Sequence, residues 1–232
     1  MHEPLISTVI PARNVERYLA DAVQSILKQK YEMMEVIIVD DGSTDRTLEV
    51  AESFKPDVRV ISQPQRGHAA ARNHGLLESH GELLSFCDAD DLWADENRLK
   101  KQVEALADDR HLDMVFGHLQ AFRGSDWAER GPPPPECRAA PQPGPVVGTI
   151  LIRSDAFHRV GGFDESSRLG VFVDWYTRAR ELGLKERMLT DVLLYRRIHR
   201  ENTSATDTGA RSQYARVLKK ALDRRRNKPD PE

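Results

Sequence analysis

Two cysteines in 232 residues leave no basis for a disulfide framework. Cys87 lies in a run with the composition of a buried strand and Cys137 in a proline-rich stretch, so no pairing is expected, and free thiols point to a reducing compartment. Long apolar runs are also missing: no stretch approaches the roughly 20 residues that span a bilayer. The opening Met1-His2-Glu3-Pro4 has no basic segment followed by an apolar run, so the expectation is a soluble, cytoplasmic protein. Charge of one sign is lacking too. The net charge is −3 with acids and bases interspersed, which removes the electrostatic argument for a nucleic-acid partner. There is no internal repeat. What the chain does have is 39% apolar residues and the length of one sizeable α/β domain.

The hydrophobic pattern alternates between two periods. Ile6 to Ile10 reads as a strand closed by Pro11, with Asn14 placed to cap a helix whose face is Leu19, Ala22, Val23, Ile26 and Leu27. Val36 to Val39 is a β-branched run of the kind buried on both sides of a parallel sheet. It enters Asp40-Asp41-Gly42-Ser43-Thr44-Asp45, where Ser43 or Thr44 can cap a helix carrying Leu48, Ala51 and Phe54. Val58 to Ile61 is a third strand and Ala69 to Leu77 a third helix. Leu83 to Cys87 is a fourth strand, with Leu99, Val103 and Leu106 on the helix behind it. This alternation predicts a doubly wound, mostly parallel, Rossmann-like central sheet flanked by helices.

The fourth strand runs straight into Asp88-Ala89-Asp90-Asp91, three acids in four positions. Carboxylates crowded at a strand end raise one another's pKa, a penalty that a hard divalent cation removes. The alternative for so short a pattern is a solvated acidic turn. Ligands bind at the carboxyl ends of strands in such sheets, and Asp40-Asp41 is expected at the same edge.

Beyond Met114 to Gly117 the character changes. The proline-rich stretch 130–146 excludes helix and central strand and reads as an exposed loop, either a linker or a flap over a second substrate. Gly148 to Ile152 is expected as a strand, Ser154 as the start of a short helix ending near Gly161-Gly162, and Val171 onward as a helix with Tyr176, Ala179 and Leu182 inward. Val192 to Tyr195 is the final strand. Tyr214, Val217, Leu218, Ala221 and Leu222 mark a C-terminal amphipathic helix.

Five segments, in order, resemble the family 2 glycosyltransferases of the GT-A fold: Val9-Ile10-Pro11-Ala12-Arg13-Asn14; Ile38 to Asp45; Gly67 to Gly75 with Arg72-Asn73 inside it; Asp88 to Asp91; and Gly161-Gly162-Phe163-Asp164 followed by Asp174. The resemblance implies an inverting, metal-dependent, single-addition transfer from a nucleotide sugar, with a UDP-sugar as the expected donor, to a saccharide, lipid-linked, peptide or small-molecule acceptor. Pro11 and Ala12 would line the base pocket, Asp40 or Asp41 would accept from the uracil or ribose, and Arg72 would approach the base or diphosphate, its alternative being a surface arginine on a helix. Asp88, Ala89 and Asp90 would form the ribose and Mn2+ or Mg2+ site, with Asp91 a further candidate and His199 completing the metal shell or binding the diphosphate. Asp174 would be the general base, although the usual Glu-Asp is Val173-Asp174 here; its alternative is a helix cap. Asp164 reads as structural.

The resemblance divides the chain into a transferase domain, 1–206, and a basic C-terminal helix and tail, 207–232. Within the domain, 1–117 would bind the nucleotide sugar and 118–206 the acceptor. Lys219-Lys220 and Arg224-Arg225-Arg226 read as a solvated helix face, with peripheral contact to anionic lipid as the alternative. The Gln-x-x-Arg-Trp signature of processive synthases is missing. A nucleotidyltransferase would need glycines after the first strand that Pro11-Ala12-Arg13-Asn14 lacks. A non-catalytic nucleotide-sugar-binding or partner module is the other class of reading.

Overall fold

The computed structural model describes residues 3–123, 140–199 and 210–226. In chain order the first half comprises β1 (Ile6–Ala12), α1 (Leu19–Leu27), β2 (Met34–Asp41), α2 (Thr47–Glu52), β3 (Arg59–Gln63), α3 (His68–Leu77) and β4 (Leu83–Phe86). The second comprises β5 (Leu92–Trp93), α4 (Arg98–Asp108), β6 (Met114–Phe122), β7 (Gln142–Pro143), a 3-10 turn at Val147–Thr149, β8 (Leu151–Arg153), α5 (Ser154–Val160), α6 (Val171–Glu181), β9 (Glu186–Arg197) and α7 (Ala210–Arg226).

Strand β1 is central because it carries apolar side chains on both faces. Ile6 and Ile10 pack on one side with Leu19, Val23 and Ile26 of α1 and Leu99 and Leu106 of α4. Val9, one position out of phase, packs on the other with Leu76 of α3, Phe157 of α5 and Trp175 of α6. The order β3-β2-β1-β4 is parallel throughout, as the alternation predicts, and it reverses direction of build at β1. Register then sets the functional edge: Ala12 lies beside Asp40, and Val9 beside Phe86, from which the acidic turn departs.

The rest of the sheet was less visible in the periodicity. β8 joins β4 antiparallel, β6 joins β8 antiparallel, β9 runs parallel to β6, and β5 closes the order antiparallel to β9. β5 follows β4 closely in sequence yet stands at the far end of the sheet order, so the acidic turn bridges two distant strands of a curled sheet.

Several local expectations are corrected. Asn14 does not cap α1, which starts at Leu19 without a side-chain cap. Neither Ser43 nor Thr44 caps α2; Asp45 Oδ1 accepts from the Thr47 amide instead. Gly148-Thr149 is part of the 3-10 turn, because the Thr149 hydroxyl bonds back to the Gly144 and Val146 carbonyls, and the strand begins only at Leu151. The last strand is far longer than Val192 to Tyr195. Leu182 is exposed where Gly183, at φ 80°, ends α6. Leu222 is exposed because the buried face of α7 runs through Val217 and Ala221, with Lys220 and Arg224 making the ion pairs alongside. Residues 130–139, Cys137 and the side chains of Tyr214 and Leu218 lie outside the described residues; Gln142–Pro143 pairs with His118 and Leu119 at the edge of β6. Among the described residues no helix is long and apolar enough to cross a membrane.

Helix α3 is wedged onto β1. A Cβ at Gly75 would stand 2.4 Å from Val9 Cγ1. Gly75→Ala will therefore destabilise the protein: overpacking costs about 1–3 kcal/mol, more than the roughly 1 kcal/mol of helix propensity gained. Urea unfolding should show a lower midpoint at unchanged slope.

Candidate functional site

The site is built at the carboxyl ends of β1, β2 and β4. Two loops form its first wall. Asn14 adopts φ 51°, a left-handed conformation that asparagine tolerates, and its Oδ1 accepts from the Thr44 amide at 2.8 Å. The Asn14 amide donates to Ser43 Oγ, and the Val15 amide to Thr47 Oγ1. These bonds lace the loop after β1 to the loop after β2 and hold Pro11 and Ala12 beside Asp40.

The two neighbouring acids of β2 have different roles. Both are 2% exposed. Asp41 is fully occupied: Oδ1 accepts from Gln63 Nε2 and the Arg66 amide, and Oδ2 from the Gly67 amide at 2.7 Å. It thereby fixes the start of α3. Asp40 accepts through Oδ2 from the Ser43 amide, while its Oδ1 is buried without a hydrogen-bond partner among the described residues. An orphaned buried carboxylate oxygen is costly unless a ligand donor meets it.

Helix α3 carries two further groups. Arg72, expected as either a ligand contact or a surface arginine, is buried and pairs with Asp88, with its guanidinium 5.9 Å from the Phe163 ring. Its Nε has no hydrogen-bond partner among the described residues. His68, in the first turn, was not singled out from the sequence. Burial, and then the Arg72 charge, push its pKa down to about 4, so it is neutral near pH 7 and interacts electrostatically with both Asp88 and Asp41. Only its place directly after Gly67 could have marked it.

In the acidic turn the three carboxylates diverge. Asp88 points to Arg72. Asp90 Oδ2 lies 2.8 Å from His199 Nε2. Asp91 is buried, accepts from the Arg197 amide, and has its pKa raised well above the usual carboxylate range by burial and by Asp90 and Asp88. It is a structural member of the turn. Ala89 is buried between Asp88 and Asp90. Among the described residues no three His, Cys, Asp or Glu side chains form a ready metal cage. Asp90 and His199 do offer an oxygen and a nitrogen donor side by side, a set that suits a Mn2+ or Mg2+ whose remaining ligands are diphosphate oxygens and water.

The Gly161-Gly162-Phe163-Asp164 turn joins this site to the second half. Asn73 Oδ1 accepts from the Phe163 amide and Asn73 Nδ2 donates to the Phe163 carbonyl, both at 2.9 Å. Phe163 then enters the aromatic cluster of Phe86, Phe157 and Trp175. Asp174, in the first turn of α6, is 3% exposed. Its Oδ2 accepts from Arg178 Nε at 3.0 Å and its Oδ1 from Arg224 Nη1 of α7 at 3.1 Å. Arg224 also pairs with Glu181, and Lys220 with Asp164. Part of the basic C-terminal run is thus spent on docking α7, which leaves Lys219 and Arg226 exposed.

Lys220, followed by the Ser166 hydroxyl, holds the Asp164 carboxyl down to about 2. A depressed folded-state pKa gives stability that is present above the ordinary carboxylate range and lost as pH falls toward 2. Lys220→Met should therefore weaken the loss of stability between about pH 4 and 2, measured as the thermal midpoint against pH.

A Rossmann-like parallel half continued by a curled extension of mixed strand direction is a GT-A type fold. The family model "Glycosyl transferase family 2" matches residues 7–161, and the chain belongs to that family. It is 31% identical over 202 residues to the putative glycosyltransferase EpsE of Bacillus subtilis, covering 82% of this chain and 72% of that protein. It is 30% identical over 237 residues to chondroitin synthase of Pasteurella multocida, covering 96% of this chain but 24% of the synthase. An uncharacterized glycosyltransferase of Haemophilus influenzae is 38% identical over 122 residues, 51% of this chain and 48% of that protein, so the chain spans about half that relative's length. In fold, it resembles S. aureus TarS 1-349 in complex with UDP-GlcNAc, with TM-score 0.77, 22% identity, and coverage of 98% of this chain and 68% of that one. It also resembles the mannosyltransferase PcManGT of Pyrobaculum calidifontis in complex with GDP-Man and Mn2+, with TM-score 0.74, 19% identity, and coverage of 100% and 67%.

Proposed function

We propose that this chain transfers a glycosyl unit from a nucleotide sugar, with a UDP-sugar as the expected donor, to an acceptor hydroxyl, with inversion and one unit at a time. The observation that carries the reading is the buried, unpartnered Oδ1 of Asp40 beside Pro11 and Ala12, which suits the ring N–H of a nucleobase such as uracil. Arg72 would turn from Asp88 toward the diphosphate, with neutral His68 beside it as a hydrogen-bonding group. Asp88 would then be released to the ribose or metal, and Asp90 with His199 would hold Mn2+ or Mg2+. A bound divalent cation supplies Lewis-acid stabilisation of the departing nucleoside diphosphate. TarS with UDP-GlcNAc and PcManGT with GDP-Man and Mn2+ support both parts of the donor site by analogy of fold.

Asp174 is the general base of this proposal, on the condition that Arg224 withdraws, since both carboxylate oxygens are engaged by guanidinium groups in the docked state. That engagement is the observation favouring a second reading, a nucleotide-sugar-binding module without turnover. The acceptor classes remain a saccharide, a lipid-linked sugar, a peptide or a small molecule. Single addition is supported by the lack of the processive signature. The deciding experiment is calorimetric titration of UDP and of GDP with Mn2+ and with chelator, followed by assay of UDP-sugars for slow hydrolysis. Binding of UDP that weakens in Asp40→Ala is the expected result; no nucleotide binding under any condition sinks the donor site. Binding without hydrolysis or transfer favours the module.

A further inference from the structure

Resting on the donor-site reading above, we propose that Arg197 is a positioning residue: it fixes the acidic turn so that Asp90 and His199 meet one cation. Arg197 is 0% exposed at the end of β9. Its guanidinium lies between two rings, 5.0 Å from the Tyr18 centroid and 4.9 Å from that of Phe122. Nη2 donates to Asp21 Oδ2 of α1 at 3.0 Å, and Nε donates to the main-chain carbonyl of Asp90 at 3.0 Å. The backbone amide of the same residue donates to Asp91 Oδ1 at 2.9 Å. One residue thus holds the turn by its main chain and by its innermost carboxylate.

Two positions further on, His199 packs against the same Tyr18 at a 37° tilt, with ring centroids 4.6 Å apart, and reaches Asp90 Oδ2. Tyr18 is therefore a shared floor for the clamp and the ligand. The β5–β9 pairing, with Leu92 opposite Tyr195, ties the far side of the turn to the same strand.

Buried ion pairs such as Arg197–Asp21 contribute little net stability, because desolvation offsets their attraction. Geometry is the better account. The planar fork of arginine reaches Asp21 and the Asp90 carbonyl at once with its Cζ over two rings; a lysine has the charge but not the fork. Without the Asp90 carbonyl bond the turn gains freedom, and the two donors lose their fixed separation. The base pocket on β1 and β2 does not depend on that bond.

The test compares wild type, Arg197→Lys and Phe122→Leu by UDP titration in chelator and in graded MnCl2, with Mn2+ binding also followed by electron paramagnetic resonance and the thermal midpoint recorded. Half-saturating Mn2+ should rise about 10–100-fold in Arg197→Lys, the size typical of residues that orient metal ligands, and less in Phe122→Leu, while metal-free UDP affinity stays unchanged. Unchanged Mn2+ dependence in both folded variants overturns the proposal. So does a parallel loss of metal-free UDP affinity, which would make Arg197 a general structural residue. Should wild type bind no nucleotide, the donor reading falls separately, and Mn2+ resonance without nucleotide decides: no bound-Mn2+ signal in wild type, or an equal signal in Arg197→Lys, overturns the clamp.

Discussion

Asp90→Ala will remove the manganese-dependent part of UDP binding while leaving the protein folded. Asp90 contributes the carboxylate beside His199, and nothing else in the pair supplies an anionic oxygen. Losses of about 10–100-fold in metal affinity follow from disturbing groups that merely orient a ligand, so deletion of the ligand itself should exceed them. Its side chain is partly exposed, and the Asp90 contact to Arg197 runs through the main-chain carbonyl, so the clamp survives the substitution. Calorimetry in Mn2+ should show the variant binding UDP no better than wild type does in chelator. A variant that keeps the full manganese effect would move the cation elsewhere, with Asp88 the first alternative.

Asp174→Asn carries the second large effect. If Asp174 takes the acceptor's proton, transfer falls by about 10²–10⁴-fold, the usual contribution of a general base, while UDP affinity is unchanged. The amide also weakens the contacts to Arg178 and Arg224, so stability has to be separated from chemistry. Arg224→Met does this. It removes the guanidinium from Oδ1 and leaves the carboxylate, so turnover should be kept or raised if Asp174 is the base. If Asp174 only anchors α7, Asp174→Asn retains transfer and the two variants share a lowered thermal midpoint. The comparison reads kcat, UDP affinity and midpoint on the same three proteins.

The parallel strands were legible because Val36 to Val39 is apolar without a break, which only a strand buried on both faces asks for, and because Ile6, Val9 and Ile10 put apolar side chains on both faces of a β-branched run. The acidic turn was legible because three crowded carboxylates need a physical reason. Helix caps were not. Asn14 and Ser43 have the residue types of caps, but they bond across to each other's loop, a long-range pairing that local pattern does not contain. The same limit applies to Asp40 and Asp41. They are equivalent as neighbours in sequence, and only the fold turns one onto the Arg66 and Gly67 amides and leaves the other with a bare oxygen. Leu182 and Leu222 continue apolar patterns yet are exposed, Leu182 because α6 ends there at Gly183 and Leu222 because α7 docks through Val217 and Ala221 beside its ion pairs. The sites proposed from resemblance gain most from geometry at Arg72, whose burial excludes a surface role.

The lacing of Asn14 to Thr44 and the wedge of Gly75 against Val9 have a kinetic and calorimetric meaning. The loops that wall the proposed base pocket are tied to each other by these bonds, so a nucleotide entering there need not immobilise either loop. Such preorganisation lowers the entropic penalty of association. Movement on binding is then confined to side chains, Arg72 above all, and the donor half should take up its nucleotide in one rapid phase with no slow ordering step behind it.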